Sequence, residues 1–209
     1  MENKDELLQI FPIPVLICKY KNSIEEEFKF IEKLRYIEHK ENRNFKSDDT
    51  YLLKHKELFK IKDFIYESLI KYTQNILQTK QRLVVTQAWT NRNPPNSKHH
   101  DHVHPNSIIS GVFYFKQSKT LPPIQFSKSI QDSFKLNPEK YNQFNAETFL
   151  LPMVDGELVL FPSSLRHSVP LNHGNDTRYS MSFNTFCIEE LGSKETLTHL
   201  NIKELYGQS

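Results

Sequence analysis

The segment His99-His100-Asp101-His102-Val103-His104-Pro105-Asn106-Ser107-Ile108-Ile109-Ser110-Gly111-Val112-Phe113-Tyr114-Phe115 runs a histidine cluster straight into an apolar stretch. The apolar half is rich in β-branched and aromatic residues, which predicts a strand over Ser107–Lys116. If the histidine half is extended too, its side chains alternate between faces. His100, His102 and His104 are then expected on one side, with His99, Asp101 and Val103 on the other. Two imidazoles two residues apart on one face can grip a single metal ion. A shifted register would instead offer His99-x-Asp101 as the pair. Either way, a metal site on a β scaffold is what the rest of the chain has to support or refuse.

Downstream of Arg82 the pattern stays β-like. Strands are predicted at Leu83–Thr90, Ile124–Phe126, Thr148–Leu151, Glu157–Phe161, Arg166–Leu171 and Arg178–Cys187. Turn-formers separate them, among them Asn93-Pro94-Pro95-Asn96, Asp155-Gly156 and Asn172-His173-Gly174-Asn175-Asp176. Short strands without helices long enough for crossovers point to an antiparallel jelly roll. Upstream, the proline-bearing Ile10–Tyr20 reads as an edge strand. Helices are predicted over Ile24–Arg35, with Ser23 available as a cap, and over about Glu57–Leu77. The polar stretch Glu38 to Thr50 reads as loop. The expected architecture is therefore a mainly β, cupin-like double-stranded β-helix buttressed by N-terminal helices. It forms one domain: support in 1–82, the core in 83–188 and a tail in 189–209.

Composition narrows the function classes. With 209 residues the chain can bury a sizeable core unaided. A net charge of +2 gives no strong field toward nucleic acid or a membrane surface. Met1 to Leu8 is charged and no apolar run nears the roughly 20 residues of a spanning helix, so the expected location is cytoplasmic. Cys18 and Cys187, the only cysteines, lie inside apolar runs and read as buried thiols. His39, His55, His173 and His199 stand in polar context and read as surface residues.

Three pieces make chemical sense together. His102-Val103-His104 is the first. The second is Asp155-Gly156-Glu157-Leu158-Val159-Leu160-Phe161-Pro162, leading through Ser163-Ser164-Leu165-Arg166 to His167. The third is Arg178-Tyr179-Ser180-Met181-Ser182-Phe183-Asn184, in which Arg178, Ser180 and Ser182 share one face of an apolar strand. A guanidinium inside a small barrel is costly unless an anion meets it. A ligand carboxylate could do so bidentately, with a serine hydroxyl adding a further bond.

The joint order of the His-x-His pair, Gly-x-Leu-x-x-Phe-Pro, a distal His and Arg-x-Ser resembles the iron(II)- and 2-oxoglutarate-dependent oxygenases. Trp89-Thr90-Asn91, the run from His99 to Tyr114 and Ser182-Phe183-Asn184-Thr185-Phe186 are similar to a branch common in marine bacteria and their phages. The likeness covers about residues 83–188. It implies Fe(II) held by His102, His104 and His167. It also implies 2-oxoglutarate chelating the iron, with its far carboxylate received by Arg178, Ser180 and Tyr114. The implied activity is hydroxylation or another oxidation of a substrate with O2, releasing succinate and CO2. One departure stands out: the usual facial triad has a carboxylate where this chain has His104.

Two other functions fit parts of the pattern. His-x-His plus a distal His is also a zinc-hydroxide ligand set, which gives Arg178 no role. A cupin-like binder would hold a small molecule without turnover. Trp89 reads as core rather than substrate cage, and Asn106 as a turn former. The substrate is not encoded legibly, because its contacts are expected from the loops Asn91–Lys98, Lys116–Pro123 and Ser127–Ala146, the last read as a lid. Oligomeric state, a homodimer included, stays open.

Overall fold

In the computed structural model, residues 5–128, 136–201 and 204 are described. In chain order the elements are β1 (Leu16–Lys19), α1 (Glu25–Glu32), β2 (Tyr36–His39), β3 (Asn44–Ser47), α2 (Phe59–Lys71), β4 (Leu83–Asn93), β5 (His99–His102) and β6 (Ile109–Lys116). They continue with β7 (Ile124–Ser127), β8 (Thr148–Leu151), β9 (Glu157–Pro162), β10 (His167–Val169) and β11 (Arg178–Cys187).

The strands form two antiparallel sheets. A seven-stranded sheet runs β1-β9-β6-β11-β4-β3-β2, and a four-stranded sheet runs β5-β10-β7-β8. Period-two patterning assigns each face of the large sheet a job. Phe113, Phe115, Leu158, Leu160, Met181 and Phe183 point to the side packed by Ile31 of α1 and by Ile61, Ile65 and Leu69 of α2. Val112, Tyr114, Val159 and Phe161 point the other way, onto Ile124 and Phe126 of the small sheet. The jelly roll with helices buttressing one face is the architecture the patterning predicts.

Local sequence explains the supports. Glu25, Glu26 and Glu27 fill the first turn of α1, where negative charge meets the helix dipole favourably. The Ser23 hydroxyl accepts the Glu25 N–H at 3.3 Å from one position before the cap, which is Ile24. Along and just beyond α2, Leu58, Ile61, Ile65, Ser68, Leu69 and Tyr72 are buried. The predicted helix is regular only from Phe59 to Lys71, with a short 3-10 turn before it and a π turn, Tyr72–Ile76, after it.

Two expectations need correcting. The supposed loop from Glu38 holds most of the hairpin β2–β3, which starts at Tyr36 and is closed where His39 O accepts the Asn42 and Arg43 N–H groups at 3.1 and 2.8 Å, with Arg43 at φ 56°. Its strands lack hydrophobic alternation because the hairpin forms the sheet edge. Its buried positions, Asn42, Asn44 and Ser47, are polar. In the N-terminal stretch, only Leu16–Lys19 pairs as a strand, along β9, while Ile10 and Phe11 stay exposed. Cys18 and Cys187 are buried free thiols. Among the described residues no helix is long and apolar enough to cross a membrane.

Candidate metal and cosubstrate site

The two sheets close around a cavity lined by Trp89, Asn91, His99, His102, His104, Val112, Ile124, His167, Arg178 and Ser180, among others. Its lip is β5 and the chain just beyond it. Its floor is made by β6, β10 and β11.

His102, His104 and His167 converge, each offering a ring nitrogen within 4.8 Å of the others. His102 pairs directly across from His167 in the β5–β10 ladder. His104 lies past the end of β5, where its backbone N–H reaches Ser163 O at 3.0 Å. The His104 and His167 Nε2 atoms face each other at 3.1 Å. A metal bonded at about 2.1 Å to two cis ligands separates their nitrogens by roughly 3.0–3.4 Å, so the spacing suits a shared ion.

The outer ring nitrogens are held as a metal site requires. His167 Nδ1 donates to Leu165 O and His102 Nδ1 to His100 O, both at 2.9 Å, leaving each Nε2 as a lone-pair donor. Burial is the main cause that lowers all three imidazoles, to about 4 for His104 and about 3 for His167. At neutral pH they are uncharged and open to a cation.

The floor holds the guanidinium. Arg178 is 2 % exposed, and its Nη1 donates to Ser180 Oγ at 3.0 Å and Asn93 Oδ1 at 3.3 Å. The guanidinium lies 5.0 Å from the Tyr114 ring centroid. Among the described residues no carboxylate pairs with it. Its Nε, the Tyr114 hydroxyl and Asn93 Nδ2 are all buried without a hydrogen-bond partner. Burial lowers Arg178 from its ordinary value and raises Tyr114. Three orphaned buried donors around an unpaired cation leave a site that an anionic acceptor would complete.

Strict alternation misplaces two histidines: His99 lines the cavity, and His100, expected beside His102 and His104, is exposed and does not line it. In the β5–β10 pairing His102 faces His167 but His99 faces Val169, so β5 carries an extra residue. This bulge turns His99 into the same cavity, where it stacks on His102 with centroids 4.8 Å apart at 14°. Asp101 points outward instead, to Arg166 Nη1 at 3.1 Å and Ser127 Oγ at 3.4 Å, and does not line the cavity.

Other wall residues carried no legible role. Trp89, expected in the core, stacks on His104 at 5.8 Å and 25°. Asn91 donates to Ser182 Oγ at 3.0 Å. Beneath the lip, Ser163 Oγ lies 2.7 Å from Ser107 Oγ and 2.8 Å from Ser110 Oγ, which donates to Asn184 Oδ1 at 3.1 Å. The seryl positions in the quoted run were the available signal. Asn106 sits at φ 56°, a turn conformation as expected. Of the expected lid, residues 129–135 lie outside the described residues.

The family described as "Putative 2OG-Fe(II) oxygenase" matches residues 87–184. Solved structures with the same fold include HygX from Streptomyces hygroscopicus with nickel, 2-oxoglutarate and hygromycin B bound (12 % identity, 83 % of this chain and 82 % of that chain, TM-score 0.61). The α-ketoglutarate-dependent carbocyclase SnoK from nogalamycin biosynthesis is another (10 %, 85 % and 81 %, TM-score 0.62). A prolyl-4-hydroxylase from Pseudomonas putida is a third (11 %, 82 % and 92 %, TM-score 0.56). No curated protein matches the chain.

Proposed function

We propose that this chain, a member of the 2OG-Fe(II) oxygenase superfamily through residues 87–184, holds Fe(II) on His102, His104 and His167 and 2-oxoglutarate on Arg178, Ser180 and Tyr114. The observation that carries the reading is joint. One cavity contains a neutral three-nitrogen cluster and a buried guanidinium without a counter-ion.

Bound there, iron and 2-oxoglutarate would supply with O2 the oxidising chemistry, in which CO2 is released, one oxygen atom ends in succinate and the other in the oxidised substrate. The chain's own residues bind and orient. Arg178 Nε and the Tyr114 hydroxyl, both unpartnered, supply donors to the far carboxylate, with Ser180 fixing the guanidinium plane. The three imidazoles, neutral at pH 7, neither repel the cation nor need to shed protons to take it. Val112, Ile124, Val169 and Trp89 wall the cavity and keep bulk water from the reacting atoms. With histidine at 104, the ligand set adds no negative charge. A dianionic cosubstrate would therefore meet a more positive centre than a carboxylate triad would leave.

The test is anaerobic titration of Fe(II) and 2-oxoglutarate into metal-free protein, watching for the visible charge-transfer absorption of the chelate. Its appearance, its loss on admitting O2 and the formation of succinate are the expected result. Tight zinc binding with no response to 2-oxoglutarate would overturn the reading in favour of zinc-hydroxide chemistry.

A further inference from the structure

The bulge in β5 does more than bring His99 into the cavity. It gathers His99, His100 and His102 into a second cluster whose ring nitrogens all lie within 4.8 Å of one another. His99 and His100 have centroids 5.1 Å apart, and His100 and His102 5.0 Å. Among the described residues the His99 ring has no hydrogen bond. His100 is exposed and the other two are half-buried, so the cluster opens to solvent, whereas His167 at the inner end is buried.

The hairpin β2–β3 supports this cluster from outside. Asn42 Nδ2 lies 2.9 Å from His100 Nδ1, and the His39 ring lies 5.8 Å from the His100 ring. Turning the Asn42 amide round would present its oxygen to Nδ1–H, the partner a ligating imidazole ordinarily has, and leave His100 Nε2 free. Three imidazole nitrogens gathered this closely suit a divalent transition ion such as Co²⁺, Ni²⁺ or Zn²⁺ once they draw in to the roughly 3.0–3.4 Å of cis ligands.

His102 belongs to both clusters. Its Nδ1 is engaged by His100 O, which leaves only Nε2 to bind a metal. One nitrogen cannot serve two ions, so the two sites are mutually exclusive. We propose that His99, His100 and His102 form an outer metal site that captures the ion at the cavity mouth and passes it inward through His102 to His104 and His167. Because one ligand stays bound throughout, the ion is never released free into the cavity. The handover rests on the inner triad being the resident metal site, while the outer site stands on its own cluster.

Two measurements decide it. The full-length chain carrying His104→Ala and His167→Ala, checked for native far-UV circular dichroism, is titrated with Co²⁺ and followed by its visible ligand-field absorption. Retention of one bound ion, lost on adding His99→Ala and His100→Ala, is expected. No ion in the folded His104→Ala/His167→Ala chain would overturn the outer site. Next, Fe(II) is mixed rapidly with wild-type and His100→Ala protein in the presence of 2-oxoglutarate, and the rise of the chelate absorption is timed. His100 is exposed, so its loss leaves the fold intact. Loading about tenfold slower to the same final amplitude is expected, and equal rates would overturn the handover. If wild type never develops that absorption, the inner reading and the handover fail together, while the Co²⁺ titration still decides the outer site.

Discussion

The floor and the lip of the cavity are built on opposite plans. Arg178, Ser180 and Tyr114 sit on β11 and β6, which have ladder partners on both sides, and His167 sits on β10 between β5 and β7. All four are at most 5 % exposed. Among the described residues the lip strand β5 pairs only with β10; it carries a bulge and leaves His99, His100, His102 and His104 partly or fully open. The contrast teaches where the chain places its conformational cost. A buried charge is tolerated on the floor because rigid strands hold it ready for an anion. The proposed metal ligands on the lip can adjust. Changes to the floor should therefore act all-or-none, and changes to the lip by degrees.

The sharpest way to break that contrast is Arg178→Ala. It removes the cation and its fork without stranding a buried charge. Losing two charge-assisted hydrogen bonds at roughly 1.5–3 kcal/mol each weakens 2-oxoglutarate binding by about 100-fold or more. Metal content should be unchanged. Calorimetric titration of 2-oxoglutarate into metal-loaded variant checks this, and equal affinity would remove the floor's assigned role.

Next comes the support behind the floor. Gly111 of β6 faces the helix side, where an added methyl would run into the Phe183 ring and come within 2.8 Å of Leu160 Cδ2. Both neighbours are fully buried, so they yield only by repacking. Gly111→Ala should cost about 1–3 kcal/mol, lowering Tm by about 2–4 °C per kcal/mol. The fraction that remains folded should keep near-normal 2-oxoglutarate affinity, because the cavity side of β6 is presented by Val112 and Tyr114. A fall in affinity as large as the fall in stability would mean that the two faces of the sheet are not independent.

How much of this was legible in the residues divides along the same line. The floor was readable because period two governs it: Arg178, Ser180 and Ser182 alternate with Met181 and Phe183, and a charge in such a strand asks for a partner. His167 was marked by the break at Pro162 after an apolar strand. The lip resisted because a bulge adds one residue without a sequence signature, so alternation put His99 on the wrong side. Hairpin β2–β3 was invisible for a related reason. It buries the polar Asn42, Asn44 and Ser47 where a hydrophobic face would otherwise be, with Asn42 Nδ2 2.9 Å from His100 Nδ1 and Ser47 Oγ accepting the Thr90 N–H at 3.1 Å. Trp89 was misjudged because a ring suits a core and a cavity wall equally well.

Protonation offers a milder probe of the lip against the floor. The ordinary imidazole value is 6.5, and burial lowers His104 to about 4 and His167 to about 3, with His102 lowered too. Above pH 6.5 these rings are neutral folded or unfolded, and they cost the native state nothing. As pH falls below that value, the unfolded chain takes up protons that the folded chain resists, so stability declines steadily until pH passes the folded values. Metal-free protein should thus lose Tm progressively from pH 6.5 toward about 3. A bound ion should defer that loss, since it holds the rings in the neutral form. Thermal unfolding across this range, with and without Ni²⁺, checks it. A flat metal-free profile would mean the three rings protonate freely in the folded state.

The smallest effect is expected from His104→Asp, which restores the ordinary two-histidine, one-carboxylate triad. The position can accept the change. His104 lies beyond the last ladder pair of β5, is anchored through its backbone N–H to Ser163 O, and meets the Trp89 ring only by stacking. A shorter side chain must reach the ion from the same backbone, and the lip's freedom to shift makes that feasible. The new negative charge favours the cation and opposes the dianionic cosubstrate. Metal affinity should therefore hold or rise while 2-oxoglutarate affinity falls, each by about tenfold or less. Paired titrations of Fe(II) and 2-oxoglutarate read both signs at once. Complete loss of metal would show that the lip is as rigid as the floor and that its geometry admits only imidazole at this position.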